Sequence, residues 1–503
     1  MQNKILKVSL AGCMLLWPIF QATAQQTAIE AAMKGVEYKV EVQGTASSGD
    51  SPTWLNANKY GLSSVKGTNG YLEVSIRRDV ELDSTRNWRI GYGLDLAVAA
   101  NFTSTFVFQQ GYIDFRYKKV GISIGQKERL PNLKDASLSS GSQTFGINAR
   151  PIPDIRFEIP EYISITGKSD WIGIRGHFGY GMQTDGHWAS TYANNNVSYV
   201  RKVLYHSKSG FMRFGNEDKF PLVFEAGAEM ACQFGGVKYE ATSRKKTNLY
   251  GGLKDFITVI YSGGSDPGEG IYANAAGNTV GSWLLSLSYK FQNGLKLRTY
   301  YDHFFEDHSQ LFWQYGWRDG MIGAEITLPK NNFVDKFVYE YLYTKSQSGP
   351  VYHDHTPSVE DQISAVDNYY NHGIYSGWQH WGQAIGNPLY RSPLYRNDGT
   401  FMFSSNRFIA HHFGIKGHIL PELSYRALYS YTANWGTYSK PYDEIKYGNS
   451  FLLELSWSPQ QIGRVDLRGW HVTGAFGLDR GQQTGKNTGF QFTLIKEGLL
   501  TRR

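Results

Sequence analysis

From about Val36 onward the chain returns to one pattern, ten-residue segments in which apolar and polar positions alternate, with no long apolar run between them. In Gly91–Val98, Tyr92, Leu94, Leu96 and Val98 share one face, and Gly91, Gly93, Asp95 and Ala97 share the other. Ser286–Phe291 and Phe451–Trp457 repeat the pattern. Successive strand side chains point to opposite sides, so each segment has a greasy face and a face bearing charge. A closed barrel in lipid needs that division, apolar outward and polar toward a wet interior.

The alternation predicts strands at 38–46, 71–82, 88–100, 105–118, 121–126, 171–181, 200–206 and 211–214. It continues at 223–234, 256–261, 282–291, 295–304, 320–328 and 337–344, and closes with 408–419, 422–435, 451–458, 464–476 and 489–495. The fold class expected is all-β: a transmembrane antiparallel β-barrel of about 18 strands, since single-chain bacterial barrels have an even number. Long loops would lie outside it or plug it. Parity turns Asp95, Asp114, Arg116, Lys296, Arg298, Asp302, Glu325, Glu340, Arg426, Glu454, Asp466 and Arg468 inward. Both signs are present, which suits a hydrated, salt-bridged network bracing the lumen. It also leaves open a solute channel whose lumen charges set selectivity.

One stretch breaks the rhythm. Residues 345–406 lack sustained alternation, and such a long irregular segment inside a compact domain points to function. It carries Tyr352, Tyr369, Tyr370, Tyr375, Trp378, Trp381, Tyr390 and Tyr395, with His353, His355, His372 and His380 among them, and Val359–Tyr370 suits a short helix. Smaller loops rich in Gly, Asn and aromatics fall at 183–198 and 262–278.

The first 24 residues read as a cleavable secretory signal, leaving 25–503 as a single barrel domain. Lys4 and Lys7 form the basic region, Val8 to Phe20 the apolar core, and Ala22-Thr23-Ala24 the small-x-small site. Leu10–Cys13 resembles a lipoprotein acylation site, but the apolar stretch before Cys13 is too short and continues past it. Export to the outer membrane of a Gram-negative cell follows as the expected location. Removing the signal takes two lysines and no acids, so the net charge drops from +7 to +5. That excess is mild and unclustered, which argues against a nucleic-acid partner. Cys232 alone remains, so no internal disulfide or cysteine zinc cage is available; it is expected to be buried in the wall. The 15% aromatic content suits bilayer interfaces, where an apolar ring meets a polar tip.

Aromatic faces flanked by hydrogen-bonding and charged groups are what a sugar surface requires. His372–Trp381 and Asn387–Arg396 supply both, making Tyr375, Trp378, Trp381, Arg391, Tyr395 and Arg396 the candidate polysaccharide contacts. The two arginines suit uronate or phosphate. The same rings also suit packing of the loop against the barrel rim. His353-Asp354-His355 has no third ligand at metal spacing, and neither metal nor cofactor is expected. Asp302–Ser309 groups acid, base and hydroxyl, and Ser404–Arg407 with His411 approaches an outer-membrane phospholipase arrangement. The G-x-S-x-G spacing occurs at Gly121–Gly125, but inside an alternating strand segment rather than at a strand-to-helix turn, so the chain reads as a non-enzyme, with a barrel hydrolase using His303 and Ser309 as the rival.

Several of these stretches resemble the Wzi capsule-assembly family of the outer membrane. The matching pieces are Pro52–Gly61, Asn148–Pro153, His303–Ser309 ahead of Asp319-Gly320, Glu340–Gly349, Gly386–Pro388 and Ser392-Pro393. They run over nearly the whole mature chain, and their order and spacing carry the likeness. The Pro-containing pieces at Asn148 and Gly386 are expected to set turns. The resemblance implies an eighteen-stranded surface lectin that helps attach and assemble capsular or exported polysaccharide. Family members can carry a periplasmic helical element; only Gln26–Gly35 is available for one here, so it is expected to be reduced or absent. Expected partners are the polysaccharide, outer-membrane lipids and the barrel-insertion machinery, with the protein a monomer.

Overall fold

In the computed structural model, residues 34–501 are described apart from 250–251, 262–263, 266–273, 276, 307–317, 332 and 348–366. The signal segment, most of the helix expected at 359–370, and Tyr352, His353, His355 and Ser309 lie outside the described residues; 367–370 form a turn.

Eighteen antiparallel strands close into one barrel, each paired with its neighbours in sequence. They are β1 (Glu37–Ser48), β2 (Thr68–Glu81), β3 (Trp88–Ala100), β4 (Phe106–Tyr117), β5 (Val120–Gln126) and β6 (Asp154–Ser164). Next come β7 (Ile172–Met182), β8 (Leu204–Phe214), β9 (Leu222–Phe234), β10 (Asn278–Lys290), β11 (Lys296–Glu306) and β12 (Gly320–Thr327). The last are β13 (Lys336–Tyr343), β14 (Phe408–Leu420), β15 (Leu423–Gly436), β16 (Pro441–Trp457), β17 (Trp470–Gly481) and β18 (Gly485–Leu499). Closure is made by β1 against β18, from Glu37↔Leu499 to Ser48↔Thr488. Closing the sheet removes the unpaired strand edge that lipid will not tolerate.

Three strand assignments need correction. Residues 204–206 and 211–214 are one strand, β8, because Ser207–Gly210 are small or polar yet remain in the ladder, whereas Val200 and Arg201 belong to a short strand paired with Val237–Tyr239 outside the barrel sheet. Residues 256–261 are not a strand; Leu253–Thr258 forms a short helix. The missed strand is β6, whose Pro160 interrupts the alternation and whose register slips between Ile159 and Ile163. A further correction concerns Asp466 and Arg468. They lie in the turn before β17, paired with each other at 2.7 Å and largely exposed, and do not reach the lumen. The two-residue ribbon that sets Val465 in register with Ile462 breaks the strand expected to begin at Arg464.

The outward face is apolar. Val74, Ile113, Ile122, Phe157, Leu287, Leu453 and Phe492 all expose large hydrophobic side chains, while their strand neighbours are buried or polar. At the end with short turns the wall carries Trp88 against Tyr117 and Trp171 near Phe220. Tyr339, His411, Tyr431 and Tyr447 cluster toward the other rim. An apolar band between two aromatic girdles is the exterior of a membrane barrel. Short turns mark the periplasmic end of such barrels, and β1 begins and β18 ends there, at the pair Glu37↔Leu499. Cys232 is buried, packed with Phe234 and with Val259 just after the 253–258 helix.

The opposite end carries the long loops, and three of them fold inward. Loop 49–67 sends in the helix α1 (Thr53–Asn56), with Trp54 and Leu55 buried against Leu138, Val338, Leu428 and Leu452. Loop 127–153 crosses the lumen. The described part of the loop after β13 buries Tyr369, Tyr370, Trp378, Tyr390 and Phe403 around Phe304 and Phe408. Among the described residues these loops pack the middle of the lumen.

Candidate functional site

Wall carboxylates hold the plug. Lys134 donates to Asp302 at 2.7 Å with both side chains fully buried, and the Gln143 amide adds a second bond to the same carboxylate at 3.2 Å. Glu340 accepts the Ser140 amide at 2.7 Å and the hydroxyls of Ser139, Ser140 and Tyr300. Glu229 accepts Asn132 at 2.8 Å, Asp135 meets Lys336 at 3.0 Å, and Leu138 offers its carbonyl to His412. The other inward charges brace strand to strand. Arg426 forms a two-pronged pair with Glu454, Arg298 meets Glu325, Arg116 reaches Glu158 at 3.4 Å, and Asp95 accepts from Gln110 with Arg77 nearby. Parity thus identified groups with two jobs, wall brace and plug anchor.

Most of the pieces that carry the family likeness meet at the plug. Asn387 donates to the Gly141 carbonyl and the Ser140 hydroxyl, and Pro388 packs on Gly141. Asn148 donates to the Ala384 carbonyl while accepting the Asn58 amide. A side chain at Gly386 would run into the Tyr370 hydroxyl and the Gln143 carbonyl, so the close approach of two loops requires glycine there.

Of the six candidate polysaccharide contacts, the structure buries two among protein side chains. Trp378 is fully buried, its indole N–H donating to the Thr144 carbonyl, and Tyr375 is buried against Val200 and Val203. Arg391 stacks on Tyr395 at 3.9 Å, and the Tyr395 hydroxyl accepts from Asn56 of α1, so this pair clamps the plug helix. Arg396 is exposed and paired with Asp398 at 2.5 Å.

Trp381 belongs to a different arrangement. It lines an outward cleft of about 310 Å³ together with Trp188, Tyr192, Phe102 and the polar groups of Ser63, Ser64, Asn101, Thr103, Gln383 and Asn397. Trp188 and Tyr192 lie four residues apart on the helix α2 (Gly186–Tyr192) and stack at 5.0 Å, the spacing that puts side chains one above another. Trp381 is held by its N–H to Thr184 at 3.0 Å and by Arg150 over its ring at 4.3 Å. Burial lowers the Arg150 guanidinium to about 10, which leaves it charged at neutral pH. Rings, hydroxyls and amides face a common opening with Lys66 on its lining, the set a sugar surface requires, while Arg150 backs the Trp381 ring from inside. The Trp-x-x-x-Tyr spacing in loop 183–198 was the signal for the residues that the 345–406 stretch alone did not reveal.

Of the arrangements weighed for hydrolysis, Ser404–Arg407 with His411 does not assemble, and Ser309 of the His303–Ser309 stretch lies outside the described residues. His303 is buried, its Nδ1 against the Asp319 carbonyl and the Tyr301 hydroxyl. Ser405 is inside the barrel, hydrogen-bonded to Asn434, whereas His411 sits on the outer face with Tyr339. Among the described residues no group of three or more His, Cys, Asp or Glu is placed to hold a metal.

No protein-family model matches the chain, and no curated protein matches it. Among solved structures it is similar to Wzi of Escherichia coli, an outer-membrane protein involved in group 1 capsule assembly and a carbohydrate-binding β-barrel. That match has 13% identity, covers 95% of this chain and 87% of that one, and has a TM-score of 0.56. It also matches OccK3 (OpdO) of Pseudomonas aeruginosa, at 10% identity, covering 93% and 96%, with a TM-score of 0.45. OprD of the same organism matches at 8% identity, covering 93% and 95%, with a TM-score of 0.46. The fold is that of the outer-membrane β-barrels.

Proposed function

We propose that this barrel is a non-enzymatic surface lectin of the Gram-negative outer membrane, binding a capsular or exported polysaccharide and assisting its attachment and assembly. The observation that carries the reading is the outward cleft, where Trp381, Trp188 and Tyr192 stand beside Asn101, Gln383 and Asn397. The filled lumen supports it against the rival of a solute channel, since the Lys134–Asp302 pair and the Tyr370–Tyr390 stack occupy the middle of the bore. The likeness of fold to a carbohydrate-binding barrel agrees with it. In this reading the polysaccharide lies outside, outer-membrane lipids surround a single copy, and the barrel-insertion machinery seats it.

The test is polysaccharide pull-down with intact cells and purified protein. Trp381→Ala and Asn397→Ala are expected to weaken retention at least about tenfold, a loss of about 1.4 kcal/mol. Deleting the gene is expected to release polymer into the medium rather than abolish its synthesis. Retention unchanged in both variants would overturn the cleft assignment. Steady single-channel currents from the wild-type protein in planar bilayers would favour the channel.

A further inference from the structure

A second cavity, of about 500 Å³, lies inside the barrel between loop 127–153 and the wall strands β4 to β8. Its volume falls in the range of small-ligand sites. Arg116, Lys127, Arg129, Arg150, Arg156 and Arg175 all line it, against one lining carboxylate, Glu158. Asp154 and Glu158 engage Arg129, Arg156 and Arg116. Arg175 has no carboxylate in ion-pair reach among the described residues; its guanidinium rests between the rings of Tyr162 and Phe211, at 5.0 and 4.8 Å.

Three nitrogens around this cavity are buried without a hydrogen-bond partner: Arg129 Nε, Arg175 Nε and His177 Nε2. His177 is oriented by its other nitrogen, 2.7 Å from the Ser209 hydroxyl, and its ring packs near Phe145. A buried polar group left unsatisfied costs on the order of 1–3 kcal/mol, so three around one hollow mark a place that expects an acceptor. The planar guanidinium fork of Arg175 suits a carboxylate better than a point charge would. The Phe145 ring lines the same hollow and offers an apolar face to a sugar ring. We infer that the lumen holds an acidic-sugar site, in which Arg175 grips a hexuronate carboxylate beside His177, in a hollow lined by the braced arginines Arg116, Arg129 and Arg156. It is separate from the outward cleft, since Arg116, Glu158 and Arg175 sit on strand portions toward the short turns.

Calorimetry on the full chain in detergent tests this, with a digalacturonate, the matching neutral digalactoside and inorganic phosphate as probes. The uronate is expected to bind, the neutral sugar at least about tenfold more weakly, and added salt to weaken the uronate alone. Arg175→Gln is expected to lower uronate affinity about tenfold or more relative to the wild-type chain. Arg175→Lys, keeping the charge without the fork, is expected to fall between them, and heat-modifiable gel migration verifies folding of each variant. Equal binding of the neutral sugar, phosphate binding as tightly as the uronate, or wild-type affinity in Arg175→Gln would each overturn the inference.

Discussion

At the scale of single residues the plug depends on charges that water cannot reach. Lys134 and Asp302 are both fully buried, and removing one member of such a pair leaves an uncompensated charge, at a cost of about 3–5 kcal/mol. Lys134→Met is therefore expected to strip hydrogen-exchange protection from residues 127–153, and adding Asp302→Asn to restore most of it. Equal protection in wild type and single variant would show that the pair does not anchor the loop. Glu128 offers a test in pH. It hydrogen-bonds Gln109 beneath the same loop, and burial pushes its carboxyl up to about 7. An unfolded glutamate ionises near pH 4.3, so the folded state holds the proton over a window in which the unfolded chain has released it. Stability from this group is full below about pH 4.3, declines as pH rises toward 7, and is flat beyond. The change is up to about 3 kcal/mol. Glu128→Gln removes that slope, so its melting temperature is expected to gain on wild type between pH 5 and pH 8. A constant gap would refute the assignment.

At the scale of elements, the inward loops interlock rather than merely fill space. Gly386 lets the 344–407 loop touch the 127–153 loop backbone to backbone, and Asn387 and Asn148 each bond across the joint. Gly386→Ala is expected to separate the two loops without unfolding the wall. Brief channel openings in planar bilayers, absent from wild type, would report it, and silence in the variant would sink the claim. The wall itself was legible in the residue pattern, because alternation is forced wherever one strand face meets lipid and the other the lumen. Where another constraint takes over, the pattern fades. In β6 a proline and a bulge break the period, and in β8 Ser207, Ser209 and Gly210 carry no hydrophobic signal. The site was less legible. Trp378 and Trp381 are the same residue type three positions apart, and Tyr375 is a third aromatic in the same run; only tertiary packing decides which rings become core and which line a cleft. Trp188 and Tyr192 come from a loop some 190 residues away in the chain, and no periodicity joins the two segments.

At the scale of the whole molecule, stability and location rest on the same division of faces. The strands bury their charges within the bore and present Val74, Ile113, Leu453 and Phe492 to the outside. Val74 sits near the middle of β2, between Glu73 and Ser75, which both point inward and are buried. An arginine on the lipid face at mid-bilayer costs about 2–4 kcal/mol, falling toward zero at the interfaces. Val74→Arg is therefore expected to lower the unfolding free energy in lipid vesicles by that amount, while Val42→Thr, also outward but a milder change, costs much less. The comparison must be made in vesicles as well as in detergent, because a micelle deforms around a charge more readily than a bilayer does. In detergent the Val74→Arg loss is expected to shrink. If the arginine costs nothing in either medium, the apolar band does not face acyl chains. The lumen plug and outward cleft would then need to be understood in a barrel that stands in water.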